Sequence, residues 1–328
     1  MKKNIAVVGC GHWGKNLIRN FSNLGALSAI CDLNPELAKS FSQKFKVPNQ
    51  NFQEIIYNEK IEGIVLSVPA PYHASMAIEA MNAKKHVFVE KPLAMNKDEA
   101  ESMIESMRLN GVKLMVGHLL QYHPVFKAVL KLVESKKLGS LISINSNRLS
   151  FGKIRSEEDV IWSFAPHDIS MILSIAGQEP ISVKTEAFKC LQPNLSDTAD
   201  IKMKFKSNLI SHISVSWIHP FKDQKLIVTG KDGMIVFDDT KKWEEKLAFY
   251  EHKILSSGEV PILKKSEVKY VKVPESEPLN NECKHFLEII KKNKDPLTDG
   301  TEGLKVLKVL SAATLSLNSN REIELISS

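Results

Sequence analysis

The segment IAVVGCGHWGKNLIRNF, residues 5–21, limits the possible folds more than any other part of the chain. An apolar run of strand-forming residues enters Gly9-x-Gly11-x-x-Gly14, and a helical pattern follows at once. Small residues let the backbone turn tightly between strand and helix, and they let a pyrophosphate come close to it. The free N–H groups opening the helix then face the anion, on the positive end of the helix dipole. Asp32 ends the next apolar run, at the spacing of a carboxylate that accepts hydrogen bonds from an adenosine ribose diol. The pattern predicts a dinucleotide site. Leu33 and Asn34 follow Asp32 where an arginine would serve a 2′-phosphate, so NAD is expected rather than NADP. His12 and Trp13 lie in the loop and could cover the pyrophosphate; Trp13 could equally pack against the sheet.

The same alternation continues through residues 1–120. Predicted strands at 4–8, 28–32, 63–68, 86–89 and 113–117 are separated by helical patterns at 14–24, 35–46, 71–83 and 96–109. Nearly continuous apolar strands between helices mean a parallel sheet covered on both faces. The expected fold class is therefore α/β: an N-terminal Rossmann domain, 1–120, with a doubly wound sheet that binds NAD. Beyond residue 120 the pattern changes. Helix 123–137, strand 141–150 and helix 157–176 lead into strands at 181–192, 198–206, 209–218, 224–230 and 233–239. Residues 253–278 are polar and proline-bearing, the least ordered stretch by composition, and helices 279–293 and 301–318 close the chain. This predicts an α+β domain, 121–328, with a large mainly antiparallel sheet for substrate binding and oligomerisation. The C-terminal helix is free to return to the first domain. A chain of 328 residues suits two such cores.

Composition narrows the function classes. The net charge of +6 is carried by scattered lysine pairs, without a basic block interleaved with aromatics, so nucleic acid is not an expected partner. The apolar runs fall far short of the ~20 residues that span a bilayer. Gly9 to His12 break the N-terminal apolar run too early for an export signal, so a cytoplasmic protein is expected. The four cysteines show no zinc spacing; no metal is expected and all four are read as free thiols. The mild positive bias would suit an anionic small substrate.

Two further segments carry candidate chemistry. VLSVPAPYHASMAIEA places Ser67, Pro69 and His73 at the carboxyl edge of the third strand, where ligands bind in doubly wound folds. His73 could donate to a phosphate or stack near the nicotinamide ribose, or simply start a helix. KKHVFVEKPLAMNKDEA ends the fourth strand at the same edge in Glu90-Lys91-Pro92. Pro92 removes a donor and biases Lys91 away from helical geometry. Glu90 could hold the loop or orient the lysine. A lysine beside an oxidised nicotinamide would have a lowered pKa and could help carry away a hydroxyl proton. By spacing alone, an exposed charged turn is the equal alternative.

GCGHWG, the Cys31-Asp32 pair, SVPAPYH, VFVEKPLAMN and MVGHLLQYHP together resemble the Gfo/Idh/MocA oxidoreductase family over nearly the whole chain. The resemblance implies a catalytic lysine at Lys91 and a nicotinamide cofactor acting on a sugar or cyclitol carbinol. It also implies that His167, in DVIWSFAPHDISMILSIAG, faces the substrate as acid or base. A core histidine is the alternative. Many relatives carry an aspartate four residues earlier, where this chain has Ser163; Asp159 or Asp168 would have to replace it. WSFAPHDISMIL, SVSWIHPFK and GMIVFDD resemble the sugar-nucleotide branch. That implies oxidation of C3 of a UDP-linked N-acetylhexosamine, UDP-N-acetylglucosamine, to a ketone that feeds an aminotransferase; the alternatives are an NAD-dependent dehydrogenase of an inositol, free hexose or hexose phosphate, and a non-catalytic nicotinamide-binding regulator. Arg148, Arg155 and Lys222 could meet its diphosphate or be solvated surface charges. Trp162 and Trp217 could stack a ring or lie in the core. His118, Tyr122 and Asp168 are further substrate-side candidates. Members are commonly homodimers or homotetramers, and the open face of the predicted sheet needs covering.

Overall fold

The computed structural model describes residues 3–255 and 260–325. Met1, Lys2 and part of the stretch expected to be least ordered, 256–259, lie outside the described residues, as does the end of the predicted second domain, 326–328. The chain forms two compact units. One comprises 1–122 and 277–307; the other comprises 123–276 and 308–328.

In the first unit the strands are β1 (Ile5–Val8), β2 (Leu27–Cys31), β3 (Gly63–Leu66), β4 (His86–Val89) and β5 (Leu114–Val116). The helices between them are α1 (Gly14–Asn23), α2 (Pro35–Phe45), α3 (Phe52–Tyr57), α4 (His73–Asn82) and α5 (Lys97–Asn110). Among the described residues the sheet runs β2-β1-β3-β4-β5, with every pair parallel. The order reverses between β1 and β3. Loops leaving the carboxyl ends of two such strands diverge to opposite faces, which opens a crevice there. Strands β1 and β3 are buried along their whole length, as a sheet covered on both faces requires.

Helix ends follow local chemistry. Pro35 fits the first turn of α2, and Asn34 accepts hydrogen bonds from the N–H groups of Glu36 and Leu37. Asn96 caps α5, and Gly111 ends it in the left-handed region. Helix α3 was not expected from the sequence. Its signal is a reciprocal capping box between Asn51 and Glu54.

The second unit opens with α6 (Pro124–Glu134), β6 (Leu141–Phe151) and α7 (Val160–Ala176). Strands β7 (Ser182–Phe188), β8 (Thr198–Lys204), β9 (Ile210–Ser216), β10 (Ile218–Gly230) and β11 (Met234–Asp238) follow. The chain then forms β12 (Leu247–Tyr250), β13 (Lys253–Leu255), β14 (Ile262–Lys264) and β15 (Val268–Tyr270). Helix α8 (Pro278–Lys292) belongs to the first unit, α9 (Gly300–Ser319) begins there and ends in the second, and β16 (Ile323–Glu324) closes the chain.

Among the described residues the large sheet has nine strands in the order β15-β12-β11-β10-β6-β9-β8-β7-β16. Only β6 and β9 pair in parallel; the rest are antiparallel. Alternation along β8 buries Ala199, Ile201 and Met203 and turns Asp200, Lys202 and Lys204 outward. Helix α7 packs on β9, β6 and β8. The fold is thus the expected α/β sheet followed by a mainly antiparallel α+β sheet. Among the described residues, no helix is long and apolar enough to cross a membrane.

Candidate active site

Between β1 and α1 the chain turns within a few residues, and the glycines account for it. Gly9 has φ +95°, and a Cβ there would lie 2.2 Å from the Ser67 carbonyl oxygen at the end of β3. A Cβ on Gly14 would lie 1.9 Å from the Gly9 carbonyl oxygen. Gly9 and Gly14 therefore let the turn close, whereas a Cβ on the exposed Gly11 would meet nothing within 4 Å. Gly11 leaves backbone open to an approaching group. No side chain caps the amino end of α1, and no acidic residue occupies its first turn. An anion there would meet uncompensated N–H groups.

Asp32 follows β2 and is fixed by main chain. Its carboxylate accepts from the N–H of Cys10 at 2.6 Å and of Asn34 at 2.8 Å. These bonds tie the acid to the glycine turn. Burial, then the Asp32 charge, push the Cys10 thiol up to about 12, so it stays a thiol beside this carboxylate. The open Gly11 backbone, the uncapped helix and the fixed carboxylate fit a dinucleotide. The loop N–H groups would hold the pyrophosphate, Asp32 the ribose diol, and the exposed His12 and Trp13 would lie over it.

The β4 loop is attached to its neighbours on two sides. Trp13 Nε1 donates to Glu90 Oε1 at 2.5 Å, joining this loop to the glycine turn. His73 is buried, with Nδ1 2.8 Å from the Pro92 carbonyl oxygen and Nε2 2.9 Å from that of Val68. Burial pushes the imidazole pKa down, and the two carbonyls push it up less strongly. Both ring nitrogens thus face main chain, and His73 acts as a strut between the β3 and β4 loops rather than as a phosphate donor. Lys91, half-buried, is held between these attachments, and the Lys91–Pro92 peptide bond is cis. Ser67 is half-buried and Pro69 exposed at the adjoining edge.

His118 and Tyr122 are each 1% exposed. His118 Nδ1 lies 2.5 Å from Glu302 Oε2, and the Tyr122 hydroxyl lies 3.1 Å from Thr298 Oγ1. Both are buried inside the first unit. Glu282 of α8 was missed by sequence reading. It is buried in the same unit, and burial, then the charge of Glu90, push its carboxyl well above the usual range. Its signal was position: with Leu279, Cys283, Phe286 and Ile289 it lies in the apolar stripe of its helix.

In the second unit Asp159 caps α7 by accepting from the Trp162 N–H at 3.0 Å. His167 is half-buried and follows Pro166, which lies inside the helix. Asp168 is fully buried. It accepts from Arg148 Nε at 2.6 Å, Arg148 Nη2 at 3.1 Å and Ser146 Oγ at 2.6 Å. This two-point pair corrects the diphosphate expectation for Arg148, whose guanidinium neutralises a buried acid instead. Trp217 is a core residue, with Nε1 donating to Asp197 Oδ1 at 2.6 Å. Trp162 is part-exposed and donates to Thr314 Oγ1 at 3.0 Å. Arg155 pairs with Glu158 at 2.8 Å, and Lys222 is exposed on β10.

The switch point of a parallel sheet, an open glycine turn and a fixed acid at the second strand define a dinucleotide-binding Rossmann domain. Comparison with known proteins agrees. Residues 3–118 match the oxidoreductase family described as NAD-binding Rossmann fold, and 126–236 match the GFO/IDH/MocA C-terminal domain. The chain belongs to the Gfo/Idh/MocA oxidoreductase family, and its first unit carries the NAD-binding Rossmann domain. It is 24% identical to a myo-inositol 2-dehydrogenase of Thermotoga maritima over 98% of each chain. It is 22% identical to a UDP-N-acetylglucosamine 3-dehydrogenase of Acidithiobacillus ferrooxidans, over 92% of this chain and 93% of the other. The solved structure of the Acidithiobacillus enzyme superposes with TM-score 0.85 at 20% identity, covering 96% of this chain and 97% of that one.

Proposed function

We propose that the protein oxidises a sugar carbinol with NAD, and that the substrate is UDP-N-acetylglucosamine, oxidised at C3. The observation that carries the oxidation is the placement of Lys91. It ends β4 on a loop fastened both to the glycine turn, through Trp13 and Glu90, and to the β3 loop, through His73. When bound there, NAD supplies the hydride acceptor. His167 takes the hydroxyl proton, and Lys91 hydrogen-bonds the same oxygen and stabilises the charge that develops on it. Asp159 caps its helix and Asp168 is engaged by Arg148 and Ser146, so this chain reaches acid–base chemistry with Ser163 in place of an aspartate.

The choice of substrate rests on the segments WSFAPHDISMIL, SVSWIHPFK and GMIVFDD and on the relative that acts on this sugar nucleotide. Arg155 and Lys222 remain as cations for the diphosphate, since Arg148 is engaged by Asp168. A second reading, an inositol substrate, is favoured by the relatives named for that activity. The test is NADH formation from NAD with each candidate, in the presence of a carbonyl trap because alcohol oxidation is uphill near neutral pH. Signal with UDP-N-acetylglucosamine, and a trapped ketone at C3 by mass spectrometry, is the expected result. Signal confined to inositols or free sugars would replace the substrate and keep the reaction.

The keto product would feed an aminotransferase. The second unit would carry the substrate, and its large sheet the contact between copies in a homodimer or homotetramer.

A further inference from the structure

Gly117 follows β5 directly and is buried, yet its backbone does not ask for glycine, since its φ lies outside the left-handed region. Space explains it instead. The register that pairs Val89 with Val116 continues one step further, with the Gly117 N–H donating to the Val89 carbonyl oxygen at 2.8 Å. That sets Gly117 beside Glu90 on the neighbouring strand. A Cβ on Gly117 would lie 2.9 Å from Glu90 Oε2, 3.0 Å from Glu90 Cδ and 3.1 Å from Glu90 Oε1. The three nearest atoms are thus the whole carboxylate of one side chain, lying broadside to the missing Cβ. Oε1 of the same group accepts from Trp13 Nε1 at 2.5 Å, and the Glu90 N–H donates to the Leu66 carbonyl oxygen at 3.0 Å.

We propose that Gly117 is a positioning residue for Lys91: the space left by its missing side chain seats the Glu90 carboxylate, and that seat holds Glu90 on Trp13 and so places the Glu90-Lys91-Pro92 loop. Ordinary van der Waals contact with a Cβ begins at 3.4 Å, so an alanine at 117 would push the carboxylate back by about 0.5 Å. The displaced atoms are the far end of a flexible side chain, so the fold gives way cheaply. The site does not. The indole N–H of Trp13 is aimed at the seated carboxylate, and a hydrogen bond weakens as its length and angle leave their preferred values. With that bond goes part of the tie between the β4 loop and the glycine turn. Glycine at 117 therefore serves the site rather than the backbone. Only the last step, from the seat to turnover, rests on the catalytic role given to Lys91.

The experiment compares the parent, Gly117→Ala, Glu90→Ala and the double variant Glu90→Ala/Gly117→Ala, each as the full chain. The Trp13 indole N–H reports the seat, since it donates to the Glu90 carboxylate. Its resonance is followed by NMR with 15N-tryptophan, assigned by Trp13→Phe, at a pH above the value of about 7 to which burial raises Glu90. In Gly117→Ala it should move upfield, toward its position in Glu90→Ala. The kcat should fall about tenfold with KM for the substrate unchanged, in keeping with the roughly 10²-fold loss that a 1 Å misplacement can cause. In the Glu90→Ala background, Gly117→Ala should change kcat by less than about twofold, because the group it displaces is gone. An unmoved resonance in Gly117→Ala, or a fall in kcat that persists undiminished without Glu90, would overturn the proposal. If Gly117→Ala does not fold, the double variant should fold, since it removes the clash; failure of both would show that glycine is needed for another reason and would overturn it too. The resonance needs neither sugar nor turnover. An inactive parent protein would therefore sink the catalytic reading of Lys91 and leave the result on the seat standing.

Discussion

Trp13 and Glu90 are joined by a 2.5 Å hydrogen bond across 77 positions of sequence. It couples the loop that would hold a pyrophosphate to the loop that carries Lys91. Replacing Trp13 with phenylalanine keeps the ring and removes the donor. Hydrogen bonds to charged groups are worth about 1.5–3 kcal/mol when enclosed, and the partly exposed indole should give less, so NAD affinity should fall about three- to tenfold. Calorimetric titration with NAD measures it, and unaltered affinity would mean that the two loops keep their places independently.

Asp32 should determine the cofactor. The Cys10 and Asn34 N–H groups hold its carboxylate in place. Asp32→Gly should weaken NAD by about tenfold or more, the loss of a charged acceptor of a ribose diol, and Asp32→Arg should turn the preference toward NADP. The ratio of NAD to NADP turnover reads both. An unchanged ratio would remove the ribose role.

The Arg148–Asp168 pair should matter for stability. Breaking a buried pair by removing one partner costs about 3–5 kcal/mol, because the other charge stays enclosed. Asp168→Ala should therefore lose that much in urea unfolding, and Arg148→Met a comparable amount. If Arg148→Met leaves stability intact and raises only the KM for a nucleotide sugar, the diphosphate role returns.

Glu90 predicts a pH dependence of stability with a definite sign. Burial raises its carboxyl to about 7 in the folded chain, above the ordinary value of 4.5. The folded state therefore binds this proton more tightly than the unfolded one. The contribution is complete below the unfolded value and is lost as pH rises through about 7. It amounts to about 1–3 kcal/mol between pH 4.5 and 8, and Glu90→Gln should flatten that part of the profile. Urea unfolding at several pH values tests it, and a Glu90→Gln profile parallel to the parent's would contradict it.

Much of the fold was legible because both halves repeat a strong period. The first four predicted strands of the Rossmann half begin or end within a residue or two of those observed, since buried parallel strands are short apolar runs with abrupt ends. Strands β13 to β15 were not legible. Each has three residues, most of them exposed, in a polar and proline-bearing stretch, so pairing rather than composition makes them strands. Among site residues, the glycine turn and Asp32 could be read from spacing because backbone geometry sets that spacing. Arg148 could not, because its partner Asp168 lies twenty positions later on a helix, and a strand arginine looks the same whether it meets an acid or a phosphate. Glu282 was visible as a carboxylate in an apolar stripe, but only the packing of α8 shows how deeply it is buried.

The role of Lys91 is tested most directly by Lys91→Ala, measured for NAD binding and for NADH formation with UDP-N-acetylglucosamine under a carbonyl trap. The expected result is NAD affinity within about twofold of the parent, and turnover reduced by at least the factor of about 10²–10⁴ that general acid–base groups contribute. A variant that keeps most of its kcat would show that the proton leaves by another route and would contradict the assignment of Lys91.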